Sequence, residues 1–134
     1  MTFELERVLA ERIVILDGAM GTMIQQANLH PHDFGGAAYD GCNEYLNITR
    51  PDFIRGIHLA YLEAGADVIE TNSFGSTPLV LSEYGLAEQA FAISKRAAEL
   101  AREAADALTT AEWPRFVAGS MGPTTRERRR GACR

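Results

Sequence analysis

Cysteine is scarce in this chain. Cys42 and Cys133 are the only two in 134 residues, too few for the disulfide framework of a small secreted domain and suited, as reduced thiols, to the cytosol. No apolar run approaches the roughly 20 residues that span a bilayer, and the opening MTFELERVLAERIVIL lacks the basic start and small-residue cleavage site of a secretory signal. A cytoplasmic location with no membrane partner is therefore expected. A G-x-x-x-x-G-K-[ST] loop and a G-x-G-x-x-G turn are both missing, which removes the best support for nucleotide binding.

Basic charge is also scarce, except at one end. The net charge is −5. The last nine residues, with Arg126, Arg128, Arg129, Arg130 and Arg134 against Glu127, carry +4 and leave −9 on everything before them. An acidic body argues against a nucleic-acid groove, because phosphate contacts need clustered Lys and Arg. A short arginine run is most simply a solvated end, and a basic arm for a polyanion is the alternative. What remains is ordinary for one globular domain: 46% hydrophobic and 23% charged residues.

Three short segments are nearly continuously apolar: Arg12 to Asp17 (RIVILD), Ala66 to Asn72 (ADVIETN) and Arg115 to Ser120 (RFVAGS). They read as strands buried on both faces. Helical patterns separate them. Thr49 is a candidate N-cap, with Pro51 in the first turn; Ile54, Ile57, His58, Tyr61 and Leu62 share one face, and Gly65 marks the stop. Thr77, Pro78 and Gly85 repeat that punctuation. From Leu86 to Leu108 the residues Ala90, Ile93, Ala97, Leu100, Ala104 and Leu108 recur at helical spacing opposite Lys95, Glu99, Arg102, Glu103 and Asp106. Strand, helix, strand, helix, strand predicts an α/β fold with a parallel sheet. The stretch from Asn28 to Arg50 is too long for a mere connector and is a functional candidate.

In parallel α/β folds the ligand site gathers beyond the carboxyl ends of the strands. That rule selects DGAMGT, with Asp17, Gly18, Ala19 and Gly21; ETNSFGS, with Glu70, Thr71, Asn72 and Ser73; and GSMGPTT, with Ser120, Thr124 and Thr125. Carboxylates suit an ammonium group, and backbone N–H groups at glycines suit a carboxylate, so the rim fits a small zwitterion such as an amino acid. Taken alone, an Asp-Gly pair closing a strand is more often a side-chain-capped turn. His30 and His32 read as surface loop histidines rather than metal ligands. Cys42 has no base beside it and reads as a buried or idle thiol. His58 reads as a hydrogen-bonded core position, and Trp113 with Pro114 as packing before the third strand.

Four stretches, ILDGAMGTMIQ, GCNEYLNITRPDFI, YLEAGADVIETNSFGSTPLVLSEYGL and FVAGSMGPTT, together resemble the homocysteine-binding barrel of the cobalamin-dependent methionine synthases, within the homocysteine S-methyltransferase family. The resemblance runs from about Glu11 to Thr125. It implies a (β/α)8 barrel with homocysteine at the carboxyl rim, its thiol activated as a zinc-bound thiolate. Asp17 would hold the substrate ammonium group, the N–H groups of Gly18 and Ala19 its carboxylate, and Thr71 would support the amino acid, with Glu70 and Asn72 as neighbours. The methyl group would come from methylcobalamin, recharged by methyltetrahydrofolate, both carried by other domains. The family's zinc cysteines belong to later strands, and Cys42 and Cys133 match none of them. A closed barrel takes about 250 residues, so the expectation is a partial TIM barrel over 1–125, the first three strands with their helices, followed by a basic tail over 126–134 outside the family pattern. No catalytic or metal-ligating residue is expected here. Such a chain reads as a truncated or frameshifted product without activity alone, or as a binding or interaction module. Bare strand edges would favour aggregation or pairing with a partner.

Overall fold

The computed structural model describes residues 2–123. The basic end Arg126–Arg134, Cys133, and Thr124 and Thr125 of the third rim loop lie outside them. Helix α1 (Thr2–Glu11) leads into an extended segment over 12–17, followed by α2 (Met20–Gln26). Next come 3-10 turns at Ala37–Tyr39 and Asn43–Tyr45, then α3 (Leu46–Thr49), α4 (Pro51–Glu63) and strand β1 (Val68–Glu70). Helix α5 (Pro78–Leu81), turns at Ser82–Tyr84 and Ala87–Gln89, helix α6 (Ala90–Leu108) and strand β2 (Phe116–Ala118) complete the order. Among the described residues no helix is long and apolar enough to cross a membrane.

The sheet is parallel. Val68, Ile69 and Glu70 of β1 stand opposite Phe116, Val117 and Ala118 of β2. The 12–17 segment runs along the other side of β1, with a single parallel bridge between Leu16 and Val68. Two hydrogen bonds flank that bridge, from Asp67 N–H to Ile15 O (2.8 Å) and from Asp17 N–H to Val68 O (2.9 Å). The three apolar segments thus lie side by side in chain order, with β1 central.

Only the central one is buried as expected. Ile69 is fully buried, whereas Ile13 is 84% exposed and Ile15 and Leu16 remain more than half exposed. The expectation that all three segments are buried on both faces fails here. A strand is covered only where helices lie on each face and a neighbour on each edge, and among the described residues 12–17 has β1 alone.

Packing follows the helical faces. Helices α4 and α6 press together and enclose β1: Leu62, Ala66 and Ile69 meet Ala101, Ala104 and Ala105, whose small side chains let the helices approach closely. A second cluster joins Ile24 of α2, Phe34, Leu46, Ile54, Ile57 and Leu100. Each buried Leu or Ile contributes about 2 kcal/mol from removal of apolar surface from water. The long 28–50 stretch is therefore part of the core: Phe34, Cys42, Leu46 and Asn47 are buried, and an Arg50–Asp33 ion pair closes its base.

Two helix starts differ from expectation. Thr49 ends α3 and its hydroxyl donates back to Tyr45 O (3.4 Å), so it does not cap α4. The reason is Pro51, which drives the preceding residue out of the helical region: Arg50 sits at φ −136°, ψ 57°. The stretch from Leu86 begins as a 3-10 turn and becomes α-helical at Ala90. Thr77 does cap α5, its hydroxyl accepting from Val80 N–H at 3.2 Å.

His58 departs from the hydrogen-bonded position expected of it. It is fully buried, and neither ring nitrogen has a hydrogen-bond partner among the described residues. Its companions on the buried face of α4 are Ile54, Ile57 and Leu62. Burial pushes the imidazole pKa down to about 4, so the ring is neutral in the folded chain. Below the ordinary histidine pKa of about 6.5 the unfolded chain gains a proton that the folded chain refuses, so stability falls as pH drops towards 4. Urea denaturation is expected to show His58 costing about 2 kcal/mol between pH 7 and pH 5, a loss absent from His58→Leu. Equal pH dependence in the two proteins would contradict this.

Candidate functional site

The rim forms where the parallel segments end. Asp17 closes the first segment, Glu70 closes β1, and the loop from Gly119 follows β2. The Asp17 carboxylate does not cap its own turn: its Oδ2 accepts from Glu70 N–H across the sheet at 3.0 Å. Its other oxygen makes no hydrogen bond among the described residues. Burial, and secondarily the Glu70 charge, push the Asp17 pKa up to about 6 against the opposing Glu70 N–H bond. A half-buried carboxyl of this kind holds its proton more tightly than an exposed aspartate does.

Gly18 and Ala19, both exposed, turn the chain from this carboxylate into α2. A side chain at Gly18 would come within 3.1 Å of the Tyr61 ring and hydroxyl, and the Tyr61 hydroxyl donates to Ala19 O (3.3 Å). Tyr61 of α4 therefore fixes this turn from behind. The N–H groups of Gly18 and Ala19 make no hydrogen bond among the described residues.

The other rim residues separate into two kinds. Thr71 is buried; its N–H donates to Ala118 O (3.0 Å), and its hydroxyl accepts from Ser120 N–H (3.0 Å) while lying 2.6 Å from Ser73 Oγ. Glu70 is exposed, and its Oε2 accepts from the Ser120 hydroxyl at 3.1 Å. Asn72 is buried and turned to the core loop: its amide donates to Asn43 O (2.9 Å) and Asn47 Oδ1 (3.2 Å), while Asn47 donates to Asn72 O (2.8 Å). Asp17, Gly18, Ala19, Glu70 and Thr71 thus gather on one rim, and the Asn72 amide braces it from below.

Two further residues reach the rim from the 28–50 stretch. Glu44 Oε1 accepts from Gly75 N–H (2.8 Å), and Asn47 holds Asn72. Both lie in GCNEYLNITRPDFI, so the motif marked them, but nothing local says what they touch. Thr71, Ser73, Ser76 and Ser120, with the exposed Phe74 and Met121, border a cleft of about 590 Å³. Asp17, Gly18, Ala19 and Glu70 do not border it, so rim and cleft meet through Thr71, Ser73, Gly119 and Ser120.

The remaining candidates take no part in the rim. His30 and His32 are exposed and stack on each other. Cys42 is buried, and burial raises its thiol pKa, which makes it a poor nucleophile. Trp113 does more than pack: its indole N–H donates to Asp67, and its ring lies under the Arg115 guanidinium at 3.9 Å.

A parallel sheet with polar side chains gathered at its carboxyl ends sets the frame, and residues 14–131 match the family model described as homocysteine S-methyltransferase. The chain belongs to that family. Within it, the chain is similar to part of the methionine synthases. It is 48% identical over 123 residues to the methionine synthase of Mycobacterium leprae, covering 92% of this chain and 10% of that protein. It is 46% identical over 119 residues to that of Mycobacterium tuberculosis, covering 89% and 10%. The chain therefore spans about a tenth of the length of these relatives. Among solved structures it is similar to the metallated form of the Escherichia coli homocysteine methyltransferase MmuM, with a TM-score of 0.73 and 31% identity, covering 89% of this chain and 41% of that one. The oxidized form of the same enzyme gives 0.73 and 32%, covering 89% and 40%.

Proposed function

We propose that this chain supplies the amino-acid-binding corner of a homocysteine methyltransferase, and that its three parallel segments are the opening part of a (β/α)8 barrel. In this reading Asp17 receives the ammonium group of homocysteine, Gly18 and Ala19 N–H groups receive its carboxylate, and Glu70 and Thr71 flank it, with Asn72 holding the loop. The observation that carries it is the half-buried Asp17 carboxylate, tied by one oxygen to Glu70 N–H and pushed up to about 6, beside exposed Gly18 and Ala19. The neighbouring order of the three segments and the likeness to a homocysteine methyltransferase support the barrel reading.

Thiol activation is a different matter. Among the described residues no three His, Cys, Asp or Glu side chains converge to hold a metal ion, so these residues do not fit zinc. For the longer protein the proposed reaction is methyl transfer to the homocysteine sulfur from methylcobalamin, recharged by methyltetrahydrofolate, in the cytoplasm. The described residues contribute binding and orientation of the substrate.

Calorimetry under reducing conditions tests the site. L-Homocysteine is expected to bind, and N-acetyl-homocysteine and homocysteine methyl ester, each lacking one charge, to bind at least about tenfold more weakly, because a charge-assisted hydrogen bond is worth about 1.5–3 kcal/mol. Equal binding of the N-acetylated compound would contradict the assignment of Asp17.

A further inference from the structure

The turn from Asp17 into α2 is tied to the sheet at one end and to α4 at the other. Asp17 N–H donates to Val68 O (2.9 Å) and its Oδ2 accepts from Glu70 N–H (3.0 Å), so β1 fixes this carboxylate. The far end of the turn meets Tyr61, whose hydroxyl donates to Ala19 O (3.3 Å). Gly18, between them, lies against the phenol end of the same ring. A Cβ there would stand 3.1 Å from Cε1 and from the hydroxyl oxygen, and 3.3 Å from Cζ. Little else restrains these two residues. No side chain caps the start of α2 at Ala19, the first helical bond, from Met23 N–H to Ala19 O, is long at 3.4 Å, and a glycine left to itself samples many backbone conformations. Tyr61 is a firm support, because its ring packs against both the Ile54–Ile57 cluster and the Leu62–Ile69 cluster.

We infer that Tyr61 is a positioning residue for the carboxylate subsite: it sets where the Gly18 and Ala19 N–H groups stand relative to the Asp17 carboxylate, and so fits the rim to an α-amino acid. The inference rests on the proposed reading of Asp17, Gly18 and Ala19 and adds a specificity element to it. In an α-amino acid the ammonium group and the carboxylate are attached to one carbon. A site that takes both charges therefore needs its two subsites at one fixed spacing. The sheet holds Asp17, and Tyr61 holds the turn that follows it. N–H groups set in place before the ligand arrives cost less conformational freedom on binding than groups the ligand must order. Without the hydroxyl, Ala19 O loses its side-chain donor; without the ring, Gly18 loses the surface it lies on.

The test compares the wild-type chain with Tyr61→Phe, which keeps the ring, and Tyr61→Leu, which removes it. The ligands are L-homocysteine and homocysteine methyl ester, whose ammonium group is intact and whose carboxylate charge is gone. Affinities are read from NMR titrations, which reach the weak binding of the ester and report the Gly18 and Ala19 amides directly. Tyr61→Phe is expected to weaken L-homocysteine about 3–10-fold, the effect of one neutral hydrogen bond, and Tyr61→Leu to weaken it further. Neither substitution should change the affinity of the ester, as required if Tyr61 acts through the carboxylate subsite. Wild-type L-homocysteine affinity in both variants would overturn the inference. So would an equal loss for L-homocysteine and the ester, which would mark a merely structural role. If Tyr61→Leu does not fold, Tyr61→Phe decides by the same two readouts. Binding abolished by Asp17→Asn but indifferent to Tyr61→Phe and Tyr61→Leu overturns this inference alone. No homocysteine binding by the wild-type chain overturns the proposed site and the inference with it.

Discussion

Replacing Asp67 with alanine is expected to destabilise the fold by about 3–4 kcal/mol, a large part of the 5–15 kcal/mol that holds a typical domain together. Asp67 is 1% exposed and lies just before β1, at the end of the sheet opposite the rim. Arg12 grips both its oxygens at 2.8 and 2.7 Å, Ile15 N–H donates to Oδ2 at 2.8 Å, and the Trp113 indole donates to Oδ1. One carboxylate therefore ties the first segment, β1 and the approach to β2. Removing it strands a backbone N–H and an indole N–H and releases the Arg12 guanidinium. Arg12→Ala should cost less, about 1 kcal/mol, because Arg12 is 40% exposed and water replaces part of what it gives. The Arg12 bonds, with the Ile15 and Trp113 donors, hold the Asp67 carboxyl well below the usual carboxylate range despite its burial. Its contribution is therefore present above the ordinary carboxylate pKa and is lost in acid. Urea denaturation at neutral pH measures the difference, and a loss below about 1 kcal/mol for Asp67→Ala would contradict the arrangement.

Asp17→Asn is expected to move stability and binding in opposite directions. A carboxyl whose folded pKa stands at about 6 binds its proton more tightly folded than unfolded, so ionising it costs stability as pH rises from about 4 to about 6. Asparagine keeps an oxygen to accept from Glu70 N–H and removes the charge. After discounting for partial exposure, the variant should be about 1–2 kcal/mol more stable at pH 7 and indistinguishable from wild type near pH 4. Homocysteine affinity should fall about 100-fold, the value of one charge-assisted ammonium bond of about 3 kcal/mol. A stabilised protein that no longer binds is the behaviour of a residue retained for function. Thermal melts at pH 4 and 7 with calorimetry check both halves; a variant that loses stability at pH 7 would contradict the origin given for the raised pKa.

Much of this was legible in the chain because it depends on local chemistry. The amphipathic face of α6, the Thr77-Pro78 start of α5 and the positions of Asp17, Gly18, Ala19, Glu70 and Thr71 at strand ends all follow from spacing and strand direction. What was not legible depends on partners far away. RIVILD looks as apolar as ADVIETN, yet Ile13 is exposed and Ile69 buried, because burial is conferred by what packs alongside. Asn72 looks like a ligand contact by position, but its amide is engaged by Asn43 and Asn47. Asp67 draws its partners from positions 12, 15 and 113, which no pattern within ADVIETN reports. His58 carries no sign in the sequence that its ring finds no hydrogen bond.

The Asp17 carboxyl titration by carbon-detected NMR tests most directly the proposal that Asp17 receives the ammonium group of an amino-acid substrate. In the free chain its midpoint should lie near 6. With saturating L-homocysteine it should fall towards the ordinary carboxylate range, about 4, because a paired ammonium favours the ionised form, and the Gly18 and Ala19 amide signals should shift in the same titration. A midpoint that homocysteine leaves unchanged would contradict the account.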